Sequence, residues 1–319
     1  MLSFMNASSN DGVLLVAHGT IGGLDELPSF LKDIRRGRPP SAEMLSEMTR
    51  RYQTIGGSPL MQITRAQANA LADRLQMPVL IGMRFGTAPL SEALLGAAAL
   101  SLRRLIVLPV APYSVDLYAK ETALAFTRLK AEGHSLGFEL LKVAPWGSHP
   151  YLVQAQCQAI LNHLGGSIPA NARIVVTAHS LPLRAVELGD NYAEQVEASV
   201  RALEAALERT TILAYQSQGS GSDGWLGPKL ADKLAELAKS GVTEIIIVPI
   251  GFLCDHVETL YDLDHEALAQ ANELGLKMSR VPALNVQPRL IDAMANLVEE
   301  CLVRAQDGAN DLATSDWRS

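Results

Sequence analysis

Two stretches decide how this chain folds: Val13-Leu14-Leu15-Val16-Ala17-His18-Gly19 and its echo, Ile174-Val175-Val176-Thr177-Ala178-His179-Ser180. Each is an apolar run, rich in β-branched residues, that ends in Ala-His and a small residue. Apolar runs without polar alternation are how strands read when a parallel sheet is covered on both faces. A second pair of echoes follows in the same order in each half: Leu105-Ile106-Val107-Leu108-Pro109-Val110-Ala111-Pro112 and Ile245-Ile246-Ile247-Val248-Pro249-Ile250-Gly251-Phe252. Further short runs lie at 79–81 and 212–215, and helical stretches such as 59–75, 192–208 and 230–239 fall between them. That alternation means an α/β fold with right-handed crossovers.

Because the chain resembles itself, it is read as two Rossmann-like domains, each a four-stranded parallel sheet flanked by helices. The expected domains are 1–160 and 161–305, separated by the turn-rich stretch 162–171 with Gly165, Gly166, Ser167 and Pro169, and followed by a flexible polar tail, 306–319. Open parallel sheets bind ligands beyond the carboxyl ends of their strands. His18, His179 and the residues after Pro249 are therefore expected at an interdomain cleft.

Composition narrows the chemistry. The 319 residues carry a net charge of −7, which argues against a nucleic-acid partner, since phosphate binding needs a basic face. Three cysteines, Cys157, Cys254 and Cys301, are too few and too scattered for a disulfide framework or a four-thiolate iron–sulfur cluster. The apolar run 245–254 is far short of the roughly 20 residues of a membrane span. The segment 1–12 has neither the basic nor the apolar region of a signal peptide. A soluble, cytoplasmic protein is expected, with at most peripheral contact with a membrane.

The strand ending at Pro249 leads into Cys254-Asp255-His256-Val257-Glu258-Thr259-Leu260-Tyr261-Asp262-Leu263-Asp264-His265-Glu266. Read as a helix from about 256, this puts Glu258, Asp262 and Glu266 at i, i+4 and i+8 on one face. Like charges so spaced repel by a few tenths of a kcal/mol per pair, and the stripe holds no compensating cation. Facing a cleft, it would attract a divalent cation and relay protons. An equally good account is a capping box, with Asp255 as N-cap and Glu258 three residues on. His179, directly after a buried strand, is placed to accept a proton or bind metal, or simply to hydrogen-bond structurally. His18 is either a second ligand or a relic of duplication, and the structural reading is favoured. The motif Gly219-Ser220-Gly221-Ser222-Asp223-Gly224 matches G-x-G-x-x-G, but the following helix begins too late for a dinucleotide site. Gly57-Ser58-Pro59 reads as an N-cap serine with Pro at N1.

Taken together, Ala178-His179-Ser180-Leu181-Pro182 and the run from Pro249 through Asp262 resemble the paired signatures of the ferrochelatases, enzymes that insert Fe²⁺ into a porphyrin. Tyr215-Gln216-Ser217 with Trp225-Leu226-Gly227-Pro228, and Ile55-Gly56-Gly57-Ser58-Pro59-Leu60, agree in order, so the resemblance spans roughly 13–302. It implies that His179 accepts pyrrole protons or binds the entering metal, and that Glu258 is its acidic partner across the macrocycle. It also implies that Asp262 and Glu266 line a metal or proton path. Fe²⁺ is then a substrate, with no permanently bound cofactor and no iron–sulfur cluster, and the expected partner is the porphyrin, bound by a monomer.

Arg35-Arg36-Gly37-Arg38 is either a solvated turn or a cation cluster that grips carboxylates. The segment through Arg51-Tyr52 is similar to the short lip of the coproporphyrin branch. Four propionates, against two propionates and two vinyls in protoporphyrin, suit such a lip, so coproporphyrin III is favoured. Porphyrin contacts are expected from Arg35, Arg36, Ser58, Tyr113, Ser114 and Trp225. Two features depart from that branch. Ile21-Gly22-Gly23 follows Gly19-Thr20 where a tyrosine is common, and Phe85 stands where some members have an outer-site histidine. Met83-Arg84-Phe85-Gly86 is closer to the protoporphyrin branch. Alternatives are a cobalt or iron chelatase for sirohydrochlorin, built on paired histidines, and a non-catalytic tetrapyrrole carrier.

Overall fold

A computed structural model describes residues 10–219 and 224–307. In chain order it contains β1 (Asp11–Thr20), α1 (Leu27–Ile34), α2 (Ala42–Thr54), α3 (Leu60–Leu75), β2 (Val79–Gly86), α4 (Leu90–Ala99), β3 (Arg104–Pro109), α5 (Val115–Ala131), β4 (Glu139–Lys142) and α6 (Pro150–His163). The second half adds β5 (Ala172–His179), α7 (Leu183–Glu187), α8 (Tyr192–Leu207), β6 (Ile212–Gln216), α9 (Leu230–Lys239), β7 (Glu244–Val248), α10 (Val257–Leu260), α11 (Leu268–Glu273), β8 (Lys277–Arg280) and α12 (Pro288–Gln306). Residues 220–223 of the glycine motif and the tail from 308 lie outside the described residues.

The strands form two four-stranded parallel sheets, ordered β2-β1-β3-β4 and β6-β5-β7-β8. The repeat seen in the sequence is thus a repeat of topology, with β1 and β5 in matching central places. The fourth strands, β4 and β8, have no strong apolar run because they are short edges carrying charged residues, Glu139 and Lys142 in one and Lys277 and Arg280 in the other. Edge strands keep such charges to discourage further pairing.

Each sheet buries its outer face in its own cluster, Leu14, Val16 and Leu105 in the first half and Val175, Ile245 and Ile247 in the second. Their inner faces share one core that joins Val13, Leu15 and Ile106 to Ile174, Val176 and Ile246. Helices α3, α6, α8 and α12 fill the space between the sheets, and α12 packs against α3 and α6 of the first half. The buried stripe of α3, Leu60, Thr64, Gln67, Ala68, Leu71 and Leu75, repeats at the three-to-four residue spacing of a helix buried along one side. Among the described residues no helix is long and apolar enough to cross a membrane.

The turn after β1 is unusually confined. Gly19 pairs with Phe85 in the β1–β2 register and has a φ of +110°, and a Cβ there would fall 1.9 Å from the Phe85 carbonyl oxygen. Gly19→Ala should therefore cost at least about 2 kcal/mol, from backbone strain of about 1–3 kcal/mol and a forced displacement of β2. Urea unfolding checks this, and a midpoint equal to that of the unaltered protein would contradict it.

Candidate active site

Strand β1 is buried from Asp11 through Ala17, and His18 is the first side chain to emerge. Strand β5 behaves alike: its interior is buried and His179, its last residue, is half-open. Gly251 allows the matching loop after β7 to close over β5, since a Cβ there would lie 3.0 Å from the Ala178 Cα. That closure sets the Phe252 ring 6.3 Å from the His179 ring and 4.7 Å from that of His256.

The central contact is between His179 Nε2 and Glu258 Oε2, 3.4 Å apart. His179 Nδ1 lies 2.5 Å from the carbonyl oxygen of Ser180. A carbonyl can only accept, so Nδ1 carries the hydrogen, and in the neutral ring Nε2 then presents a lone pair. Glu258 Oε2 is buried and has no hydrogen-bond partner. Two acceptors so close call for a proton or a cation between them. Burial pushes the Glu258 carboxyl up, but the facing imidazoles of His179, His256 and His18, with Arg51, outweigh this and hold it below the usual carboxylate range.

The contact corrects one expectation. A macrocycle lying between two groups needs roughly 7 Å, two contact distances of about 3.5 Å, so His179 and Glu258 cannot sit across a ring from each other as they stand 3.4 Å apart. They stand side by side.

His18 has the hydrogen-bond contact that its structural reading implies, and it also faces the charged groups of the site. Its ring stays open to the cleft and packs edge-on against Phe85 at 5.1 Å, and its Nδ1 lies 3.3 Å from the Tyr118 hydroxyl. Enclosure within the cleft walls pushes its pKa down to about 4, with Arg84, His256 and His179 adding to the fall and Glu258 opposing it. The His256 imidazole is also pushed down, chiefly by burial.

The acidic segment is not a plain α-helix. After α10 the chain winds as a π-helix over Asp262–Ala267, with Glu266 N–H bonded to Tyr261 O at 3.1 Å, before α11 resumes. π-turns are rare and cluster at functional sites. The capping box also differs from expectation: His256 is the N-cap, its N–H bonded to Thr259 Oγ1 at 2.9 Å, and Asp255 is held by Arg280 and Asn285 instead. Glu258 is thereby left out of the cap, its side chain turned to His179.

The acidic stripe does have a compensating cation, supplied by α2. Arg51 donates to Asp262 Oδ1 at 2.7 Å, Glu266 Oε1 at 2.9 Å and Glu47 Oε1 at 2.8 Å, with its guanidinium 4.7 Å from the Tyr261 ring centroid. No local pattern could reveal a partner 211 residues away in the chain. The expected metal set thus divides in two, with His179 and Glu258 in the cleft and Asp262 and Glu266 around Arg51. Among the described residues no three His, Cys, Asp or Glu side chains are grouped to hold an ion. Burial raises Asp262 to about 6, with Glu258 adding to the rise and the Ser217 hydroxyl, 2.5 Å away, and Arg51 opposing it. Asp262, Glu266, Arg51 and Ser217 line a pocket of about 250 Å³ with Gln216 and Lys229.

The remaining expected contacts separate. Arg35 is half-buried at the end of α1, with Nη1 on Met44 Sδ and Nε without a partner, and Arg36 is exposed. Ser58 lies one residue before the N-cap Pro59 and accepts from Leu60 N–H at 3.4 Å. Trp225 is half-buried with an unpartnered Nε1. Tyr113 packs inward: it is 3% exposed, donates to Ile250 O and packs edge-on against Tyr192, a core residue between the halves. Ser114 precedes α5 without capping it. Sequence reasoning missed Arg51, His256, Tyr118 and Arg84, none of which carries a local signal.

Two outcomes follow. A histidine whose pKa falls on folding binds its proton more tightly when unfolded. Its stability contribution is complete above about 6.5 and is lost as pH drops toward the His18 value of about 4. His18→Gln should flatten that part of a Tm–pH curve, and an unchanged curve would refute the assignment. Arg51→Met should cost about 2 kcal/mol at pH 8, where the buried Asp262 loses the cation opposite its charge, and less at pH 5, where Asp262 is protonated. Chemical denaturation at pH 5 and 8 measures the difference.

A family model for ferrochelatase matches residues 10–302. A ferrochelatase of Thermus thermophilus is 36% identical, covering 90% of this chain and 98% of that protein. The coproporphyrin III ferrochelatase of Bacillus subtilis is 32% identical, covering 92% and 98%. Among solved structures, SirB from Bacillus subtilis with Fe³⁺ shares the fold, with a TM-score of 0.61 at 15% identity over 93% of this chain and 97% of that one. A match that runs from β1 into α12, with relatives above 30% identity along nearly their full length, makes this chain a member of the ferrochelatase family, enzymes that insert a metal ion into a porphyrin.

Proposed function

We propose that the chain inserts Fe²⁺ into coproporphyrin III, with His179 and Glu258 as the groups that meet the reacting atoms. The observation that carries this is the buried, unpartnered Glu258 Oε2 facing the Nε2 lone pair of His179 at 3.4 Å. Insertion exchanges one Fe²⁺ for two pyrrole protons. Those protons have two acceptors here, the imidazole nitrogen and the carboxylate, on one face of the ring. A macrocycle held against that face and puckered toward it would turn its nitrogen lone pairs to the incoming metal, a product-like geometry. Asp262, with a pKa of about 6, is suited to pass protons outward near neutral pH.

The choice of coproporphyrin rests on unsatisfied donors. Arg35 Nε, Arg84 Nε and Trp225 Nε1 are buried N–H groups without partners. Buried donors left unpaired cost about 1–3 kcal/mol each, and a substrate with four propionates brings more acceptors than one with two. On this reading Fe²⁺ is a substrate, no resident cofactor takes part, and the enzyme acts as a cytoplasmic monomer. One observation favours a second reading, a sirohydrochlorin chelatase: His18, at the strand end matching that of His179, also opens onto the cleft.

Anaerobic assays with Fe²⁺ and coproporphyrin III, protoporphyrin IX or sirohydrochlorin, followed by absorbance, separate these. Turnover should be fastest with coproporphyrin III, and His179→Ala or Glu258→Gln should lower kcat by about 10²–10⁴. Turnover confined to sirohydrochlorin, or variants as active as the original, would overturn the proposal.

A further inference from the structure

Arg280, the last residue of β8, has a side chain only 9% exposed. Its Nε and Nη2 donate to the two oxygens of Asp264 at 2.6 and 2.7 Å, and its Nη1 donates to Asp255 Oδ1 at 2.8 Å. Asp255 precedes α10, and Asp264 lies in the π-turn that follows it. One planar guanidinium therefore spans the segment that carries Glu258, gripping it on both sides.

The rest of the grip is also saturated. Asp255 Oδ2 accepts from Asn285 Nδ2 at 2.8 Å, Asn285 Oδ1 accepts from the Asp255 N–H at 2.8 Å, and Thr259 Oγ1 reaches Asp255 Oδ1 at 3.2 Å. Asn285 has a left-handed φ of 51°, which its short polar side chain tolerates. Its carbonyl oxygen accepts at 2.6 Å from Nε2 of Gln67, a fully buried residue of α3 that also reaches Cys254 Sγ at 3.2 Å. Hydrogen bonds thus run from the first half of the chain to the base of the acidic segment.

Arg280 and Asn285 bond to Asp255 and Asp264, whereas Glu258 faces His179 and Asp262 meets Arg51 and Ser217. The clamp therefore holds one side of the segment and leaves the acids on another. A π-turn winds more widely than an α-helix, so its presence sets where Asp262 and Glu266 point relative to Glu258. Buried ion pairs of this kind give little net stability over apolar replacements, and their use is better sought in conformational specificity.

We infer that Arg280 is a positioning residue for metal insertion. Its fork locks the π-turn so that Glu258 meets His179 while Asp262 meets Ser217 and Arg51. This rests on the insertion reading proposed above. Arg280 is buried with its fork committed to Asp255 and Asp264, so its loss acts on the chemical step and leaves ring binding intact. Charge alone does not suffice, because an ammonium cannot span Asp255 and both oxygens of Asp264.

The test uses Arg280→Lys and, as a milder variant, Asp264→Asn, each in the full chain. Three quantities are measured: Kd for metal-free coproporphyrin III by fluorescence, kcat and KM for Fe²⁺, and amide hydrogen exchange over 255–267. Arg280→Lys should leave the porphyrin Kd within about twofold, lower kcat at least tenfold, and speed exchange at the Glu266 amide, which closes the π-turn. Asp264→Asn should move the same way by a smaller factor. If Arg280→Lys does not fold, Asp264→Asn decides alone. Unchanged kcat and exchange in the variant that folds, or a kcat loss matched by lost porphyrin binding, would overturn the inference. An unaltered protein that inserts no metal into any porphyrin would instead remove the insertion reading, and the exchange result would still judge the clamp.

Discussion

An imidazole lone pair held 3.4 Å from a buried carboxylate oxygen is unfavourable unless a proton or a cation lies between them. The rest of the site serves to keep these two groups in that relation. Ser180 fixes the tautomer of His179 through its carbonyl oxygen, and Gly251 lets the loop after β7 approach β5 closely enough to bring Glu258 within reach. The capping of α10 by His256 and Thr259 leaves the Glu258 side chain uncommitted. A carboxylate engaged in the cap would have been a helix stabiliser and nothing more.

Charge is balanced in stages along the acidic segment. The imidazoles around Glu258 hold its carboxyl below the usual range, whereas Asp262 and Glu266 are paired with Arg51, an arginine delivered by α2. Because α1 and α2 pack through Leu27, Phe30, Leu31 and Tyr52 against Phe85 and Val257, the lip touches both the wall beside His18 and the first turn of the acidic segment. Arg51 ties that lip to the outer acids by ionic contact as well. A shift of α2 must therefore change the electrostatics of Asp262, whose pKa near 6 makes it responsive around neutral pH.

Much of this was legible without coordinates, and the reasons are specific. The apolar runs at 13–16 and 174–177 announce central parallel strands because both faces of such strands must be covered, and the echoed Ala-His places a histidine at each carboxyl end. The fourth strands, β4 and β8, were not legible, since charged residues at 139–142 and 277–280 erase the apolar signal. The acids at 258, 262 and 266 were visible as a stripe, but their winding was not. A π-turn differs from an α-helix by a single hydrogen-bond step, Glu266 to Tyr261, that no residue type specifies. Tyr113 looked like a pocket residue from its place after a strand, yet it packs inward because the loop folds beneath Gly147 and Tyr192.

The division follows from the range of the interactions. Periodicity, strand burial and motif order are local in the chain, and they determined the α/β class, the internal duplication, the family and the pairing of His179 with Glu258 as candidates. Contacts between residues distant in sequence were decided only in three dimensions. Arg51 neutralises the outer acids, Arg280 grips Asp255 and Asp264, and His18 opens on the cleft instead of closing into the core. Each depends on which surfaces the two sheets bring together, and a one-dimensional pattern carries no record of that.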